Sequence, residues 1–386
     1  MKTVKYKKEI IPEYQYLLTA CEGSGKRPLF FDIETTGFSP KSNMVYLIGL
    51  SYPDERKRLC SVQFLAEGID DERQVLLNFL EVLKDRSDML LTGYNINSFD
   101  IPFLNERLRK YDLPSIPLSS RDLFSDVRRL SNIFPMKGRK LKDIEAFLGI
   151  MREKDMSGGD LIPVFFEYAL SHEKSNEEKL LSHNLSDIID LFPLLVLDEI
   201  KKLFSPELSI KKIVPLDTPS VSFSGNSGIN VFSPFSIRTD RFFITFDKDE
   251  IKGTIHFEHC MMKHYFPDQN TYVYLIEEER IIPKALSHSL EKERYRKPLK
   301  EECFVEEESD FYPVPEGFSD EATALLSPLY KRSYNEKQYY IKKDRHAVTE
   351  GFLNSYAGML IKSYLSTKLS GRRRKTFCQD RSPCNP

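Results

Sequence analysis

The stretch FFDIETTG, residues 30–37, sets two acids, Asp32 and Glu34, inside a run of apolar and β-favouring residues. A strand turns alternate side chains to one face, so both carboxylates point the same way. Two negative charges on a buried face are expensive unless something offsets them. Two arrangements satisfy that constraint. Either the pair sits at a strand end in water, or a divalent cation lies against both acids. Hard oxygen donors suit Mg²⁺ or Mn²⁺. Thr35, Thr36 and Gly37 follow, a tight exit where a ligand can approach the backbone.

Further acids have the same character. Asp100 closes GYNINSFD, just after the apolar strand pattern MLL. SHNLSDIID places His183 and Asp187 at i and i+4, on one helix face. Ile188 and Ile189 follow Asp187, so that helix is packed, and a carboxylate beside a packed surface needs a partner. Asp190 is an alternative to Asp187, but the His183–Asn184 pair beside Asp187 favours the latter. Asp122, in RDLFSD, is expected near the far edge of the sheet, and both it and Asp126 are left outside the site. Four acids and a histidine from three segments can converge on a pair of metal ions.

The 386-residue length suggests two domains. From 28 to about 204, strand and helix patterns alternate. PLFFDIET, MVYLIGLSY and RLCSVQFLA read as strands. DERQVLLNFLEVLKD has helical period, with Val75, Leu76, Phe79, Leu80 and Leu83 on one face. MLLTGYN returns to strand, and FDIPFLNERLRKYD is helical with Pro102 in its first turn. The expected fold is α/β: a mixed sheet flanked by helices. Residues 1–27 read as an N-terminal segment and 28–204 as the first domain. The Pro-, Ser- and Gly-rich 205–228 reads as a linker or loop. Residues 229–369 read as a smaller α+β accessory domain, with DRFFITFDKDEIKGTIHFEH as two strands about a polar turn. Residues 370–386, which include GRRRK, read as a disordered basic tail.

FFDIETTG, TGYNINSFD and HNLSD, in that order, resemble the three exonuclease motifs of the DEDD superfamily. Its members have a ribonuclease H-like fold. YLIGLSY, VQFLAE, YNINSFDIPFLNERL, RDLFSDVRRL and HNLSDIIDLFPLL are similar in order and spacing to the YprB-like branch, over residues 28 to about 200. The resemblance implies a two-metal 3′–5′ exonuclease using Mg²⁺ or Mn²⁺. Asp32 would bridge the ions, Glu34 and Asp187 would hold the one that carries the attacking water, and Asp100 would support the other. His183 would be the general base. Thr35 and Gly37 would offer backbone contacts to the terminal nucleotide, with Asn95 and Phe99 shaping the site. Phe99 fits a core position as well as a stacking one. Histidine-type members usually have four residues between the histidine and the last aspartate. Here there are three.

The family implies nucleic acid as partner, DNA ahead of RNA, in DNA processing or repair, with a helicase as a conceivable associate. An RNA exonuclease and a catalytically silent binding module are the competing readings. The formal net charge of −2 excludes a chain held on nucleic acid by a global basic field, though not a local groove. No apolar run approaches the ~20 residues that span a bilayer. The N-terminus lacks an apolar signal core and the six cysteines show no framework spacing, so a reducing cytoplasm is expected and no membrane. EGSGKR, residues 22–27, lacks two positions of a phosphate loop and precedes a strand. HFEHCMMKH, with His256, His259, Cys260 and His264, fits no common zinc spacing.

Overall fold

The computed structural model of the chain describes residues 1–18, 27–134, 136–150, 158–315 and 328–369. Most of the 22–27 stretch and the whole 370–386 tail lie outside these residues. The described chain falls into two compact units, Met1–Lys201 together with Lys368 and Leu369, and Lys202–Thr367.

The first unit is built on six strands: β1 (Lys2–Glu9), β2 (Pro28–Thr35), β3 (Val45–Pro53), β4 (Arg58–Leu65), β5 (Leu90–Gly93) and β6 (Ser120–Asp122). Their order is β1-β4-β3-β2-β5-β6. β2, β3 and β4 form an antiparallel meander, and β5 and β6 add parallel to β2. The crossovers run through α1 (Glu72–Asp85) and α2 (Asp100–Lys110). There follow α3 (Leu123–Leu130), α4 (Leu141–Phe147), α5 (Gly158–Ser171), α6 (Lys174–Ile189) and α7 (Val196–Lys201). The mixed, helix-flanked sheet is the expected one.

β2 is buried on both faces, which is why its sequence is nearly all apolar. Phe31 meets Phe79 of α1, with ring centroids 6.2 Å apart. The intervening side chains turn the other way: Phe30 meets Phe192 and Asp32 meets Asn184 of α6. Val75, Leu76, Phe79 and Leu83 are the buried stripe of α1. The segment 174–204 has an 18-residue window of mean hydropathy 1.4, yet 67% of that window is buried inside the fold. Its apolar residues serve the core.

Three expectations need correction. Residues 1–27 are not a mere leading segment, because β1 pairs along all of β4, from Lys2 with Leu65 to Glu9 with Arg58. Its lysines, Lys2, Lys5, Lys7 and Lys8, hid it: an edge strand carries charge that blocks further pairing. Residues 205–228 are not a loop. They contain β7 (Ser209–Pro215) and the first part of β8 (Ser220–Arg238), where buried Val221 and Phe223 alternate with serines. Gly225 is needed there because a Cβ would come within 2.2 Å of the Ser209 carbonyl oxygen on β7. The polar run DKDE is not a turn but part of one strand, β9 (Phe242–His256). It keeps its partners on β8 through bulges on either side of Val231, and its side chains project into water.

β7, β8 and β9 form one sheet of the second unit. β10 (Glu258–Tyr265), β14 (Phe304–Pro313), β16 (Tyr340–Lys342) and β15 (Leu329–Tyr330) form another, in that order. β11 (Tyr272–Leu275) lies between β12 (Arg280–Pro283) and β13 (Tyr295–Arg296) in a third. The closing helix is α8 (Glu350–Leu369).

A buried ion pair ties α1 to α2. Glu72 and Arg107 are 1% and 3% exposed, and Arg107 Nε donates to Glu72 Oε1 at 2.7 Å. Arg107 also donates to the Pro40 carbonyl at 2.7 Å, while Glu72 accepts from the Val45 amide and the Tyr111 hydroxyl. Every charge is met, and the loop between β2 and β3 is held by the same cluster. Removing one partner leaves an uncompensated buried charge, which costs about 3–5 kcal/mol. Arg107→Ala is therefore expected to lower unfolding stability by about that amount in a urea titration; a loss below about 1 kcal/mol would contradict this account.

Candidate active site

Asp32 and Glu34 share one face of β2, Asp32 partly buried and Glu34 7% exposed. Just beyond Glu34 the register with β3 slips: Glu34 faces Leu47, Thr35 faces Val45, and Tyr46 is the extra residue. This bulge turns a tyrosine toward the acids. Tyr46 is fully buried and stacks on Phe165 of α5 at 4.2 Å and 11°. Burial, and then the charges of Glu34 and Asp32, push its phenol above the ordinary range. A Cβ on Gly158 of α5 would lie 3.6 Å from Glu34 Oε2, so the backbone of that helix comes close to the acid.

α6 supplies the next two groups. His183 Nε2 lies 3.2 Å from Asp187 Oδ2 and 3.4 Å from Glu34 Oε1. One donor atom from each of Glu34, His183 and Asp187 falls within 4.8 Å of the other two. Two carboxylates and an imidazole at that spacing can hold a divalent cation. Asp190 instead ends α6, where its charge acts on Tyr14.

Asp100 is the first residue of α2 and is 5% exposed. The chain before it is clamped by Asp122, whose carboxylate accepts the amides of Asn95 at 2.8 Å, Asn97 at 3.2 Å and Phe124 at 3.0 Å. Asn95 takes a left-handed φ of 64° there. Burial pushes the Asp100 carboxyl up to about 7, although its own amide and that of Ile33 pull the other way; Asp122 adds a like charge. The Asp32 carboxyl is pushed well above its usual range, first by burial and then by Asp187, Asp100 and Glu34, while Asn184 pulls it back.

The five expected catalytic residues, Asp32, Glu34, Asp100, His183 and Asp187, thus gather on β2, the start of α2 and one face of α6. Thr35 and Gly37 form the exit turn, where Thr35 Oγ1 donates to the Gly37 carbonyl at 3.0 Å. Asn95 enters through its backbone, in the loop that delivers Asp100. Phe99 has one neighbour in Phe103 at 5.5 Å and another in Phe38 at 6.2 Å, edge-on. Phe38 is 91% exposed, an aromatic ring left in water beside Phe99.

Sequence reading missed Phe38, Tyr46, Asp122 and Asn184. Asp122 does lie on the edge strand, as expected, but it organises the loop of Asp100. Asn184 holds Asp32. Its Nδ2 donates to Asp32 Oδ2 at 3.1 Å, and its Oδ1 accepts from Gln63 Nε2 at 2.9 Å. Asp32, Gly49 and Gln63 pair across β2, β3 and β4 in one row, and the Asn184 side chain lies over the glycine. A Cβ at Gly49 would come within 2.1 Å of Asn184 Oδ1. The available signals were a glycine and a glutamine inside otherwise apolar strands.

Two outcomes follow from this geometry. Asn184→Ala strands the Gln63 amide and is expected to cost about 1–3 kcal/mol of stability in denaturant titrations. The second concerns pH in EDTA. An unfolded aspartate loses its proton near 3.9, whereas folded Asp100 keeps it to about 7. The folded state binds more protons across that window, so thermal stability should fall as pH rises through it. At pH 8, Mg²⁺ or Mn²⁺ should then raise the melting temperature by linkage, and Asp32→Asn should blunt the rise.

The geometry agrees with what the chain is similar to. A family model of the RNase_H superfamily, RNase_H_2, matches residues 29–197. Among curated proteins, a DNA polymerase of Archaeoglobus fulgidus is 25% identical over 174 residues, covering 40% of this chain and 20% of the polymerase. The DNA polymerase delta catalytic subunit of Arabidopsis thaliana is 26% identical over 180 residues, 42% of this chain and 15% of its own length. An uncharacterised protein of Methanocaldococcus jannaschii is 27% identical over 161 residues, 41% of this chain and 86% of its own. The chain therefore spans a fifth or less of the two polymerases. Residues 29–197, which the RNase H superfamily model matches, fold on this mixed sheet with an RNase H-like α/β architecture.

Proposed function

We propose that the protein is a metal-dependent 3′–5′ exonuclease that hydrolyses phosphodiester bonds of single-stranded DNA, and that it belongs to the YprB-like branch of the DEDD exonucleases. The supporting observation is the meeting of Glu34, His183 and Asp187 beside Asp32 and Asp100, on elements far apart in sequence. The donor set fits divalent ions, Mg²⁺ or Mn²⁺: Glu34 and Asp187 would hold one, Asp100 would support a second, and Asp32 would serve both. Bound there, two ions neutralise the acids, lower the pKa of a water and stabilise charge on the leaving oxygen.

The chain's own groups do the rest. His183 Nε2 accepts the proton of the attacking water as its oxygen adds to phosphorus and the bond to O3′ of the preceding nucleotide breaks. Glu34 and Asp187 place carboxylate oxygens 3.4 and 3.2 Å from that nitrogen, where their charge favours the imidazolium once the proton has been taken. Phe38 and Phe99 offer ring surface to the terminal bases, and Thr35 and Gly37 offer backbone. DNA stands ahead of RNA because the two matched polymerases are DNA polymerases by name. DNA processing or repair beside a helicase, in a reducing cytoplasm, suits such an activity and the free thiols of Cys60, Cys260 and Cys303.

The deciding assay follows 5′-labelled single-stranded DNA and RNA with Mg²⁺, Mn²⁺ or EDTA. A ladder shortening from the 3′ end, absent in EDTA and in Asp32→Asn, is expected. Undiminished cleavage by Asp32→Asn would remove the site from the reaction, and preference for RNA would shift the substrate. His183→Ala should keep the metal-induced rise in melting temperature while turnover drops on the order of 10²–10⁴-fold. Loss of the thermal response in that variant would make His183 a ligand rather than the base.

A further inference from the structure

The second unit carries an open cleft of about 910 Å³ between the end of β10, the turn that follows it and residues 329–339. Its wall is aromatic. Tyr265 meets Tyr334 edge-on at 5.4 Å, and Phe266 stacks on Tyr272 at 4.8 Å. Tyr334 and Tyr339 remain 37% and 42% exposed, so their rings are presented to solvent rather than spent on the core. Three lysines, Lys300, Lys331 and Lys337, line the same cleft. Among the described residues none of the three has a carboxylate partner within ion-pair distance. Lys331 Nζ lies 4.5 Å over the Tyr339 ring and donates to the Tyr334 carbonyl at 3.3 Å. The one acid of the lining, Glu336, is met by Arg332 through both its guanidinium, at 3.2 Å, and its amide, at 2.7 Å. The lining residues themselves therefore carry a net positive charge set among exposed rings, with Glu301 and Glu306 acting on Tyr265 from beside the cleft.

We infer that this cleft binds single-stranded nucleic acid. Bases stack on Tyr334 and Tyr339, and Lys300, Lys331 and Lys337 meet the phosphates. Ring faces that accept bases of any sequence, spaced among cations, are how single strands are held without sequence readout. A duplex keeps its bases stacked internally and has nothing to offer the rings. An acidic peptide would use the lysines but not the ring faces. The site is separate from the carboxylate cluster, and its occupation does not require that cluster to cleave.

The test measures binding by the full-length protein in EDTA, so that no strand is cut, using fluorescent oligo(dT), the matching duplex and an acidic peptide. Oligo(dT) should bind in preference to both competitors. Tyr334→Ala with Tyr339→Ala should weaken its binding about 5- to 150-fold per stacked base lost. Lys300→Gln with Lys337→Gln, both on the surface and harmless to folding, should reduce the slope of log affinity against log salt by about 1.4. Cleavage of the same oligo(dT) with Mg²⁺ is followed separately, so an inactive carboxylate cluster and an empty cleft give different results. Wild-type affinity and salt slope in both double variants, with melting temperatures unchanged, would overturn the inference. So would equal binding of the peptide.

Discussion

Asp32 lies within the field of three other carboxylates, and the first unit is organised by that repulsion. Four negative charges at a largely dehydrated spot cannot all persist without compensation. Several partial offsets surround them: Asp100 retains a proton to about 7, Asn184 donates to Asp32, and the Ile33 amide donates to Asp100. None of these is a full positive charge. In a metal-free chain the site stores electrostatic cost, which a divalent cation held there would relieve. Binding sites are commonly the less stable parts of a fold for this reason.

The same constraint decides which polar residues enter the sheet. Gln63 and Asn184 have no catalytic chemistry to offer, yet they are almost completely buried. They form a chain from the Leu181 carbonyl through Gln63 and Asn184 to Asp32, with every donor met. A half-satisfied chain would cost more than an apolar replacement. Gly49 completes it by leaving room. Glu72 and Arg107 do for the loop after β2 what Asn184 does for Asp32: both are buried polar clusters whose full satisfaction fixes the backbone that carries the acids.

Much of this was legible in the sequence wherever a residue broke the local pattern. Asp32 and Glu34 interrupt an apolar strand, and the apolar stripe of α1 and the i,i+4 pair of α6 follow from period alone. What escaped was set by pairing rather than pattern. Tyr46 reads as one more apolar-strand residue until the slip in register makes it the bulge. Asp122 looks remote until the Asn95 and Asn97 amides are seen to need an acceptor. β1, β7 and the start of β8 escaped for a compositional reason: lysine on the edge strands β1 and β7, and serine or glycine beside a close neighbour on β8, imitate the composition of loops.

The three-residue gap between His183 and Asp187 also finds its physical account in Asn184. Each residue turns an α-helix by about 100°, so His183 and Asp187 project only about 40° apart, while Asn184 points about 60–100° to one side of them. Asn184 is seated over Gly49, where there is no space for a second position. That seating fixes the roll of α6 about its axis, with Leu180 and Ile188 buried on the same side. Once the roll is fixed, the direction of His183 follows: Nε2 falls between Glu34 and Asp187. A fourth intervening residue would carry the imidazole about 100° further round, past Glu34, unless the helix rolled back and pulled Asn184 off Asp32. In this chain the spacing of the last motif and the amide that holds the first acid are therefore one geometric solution.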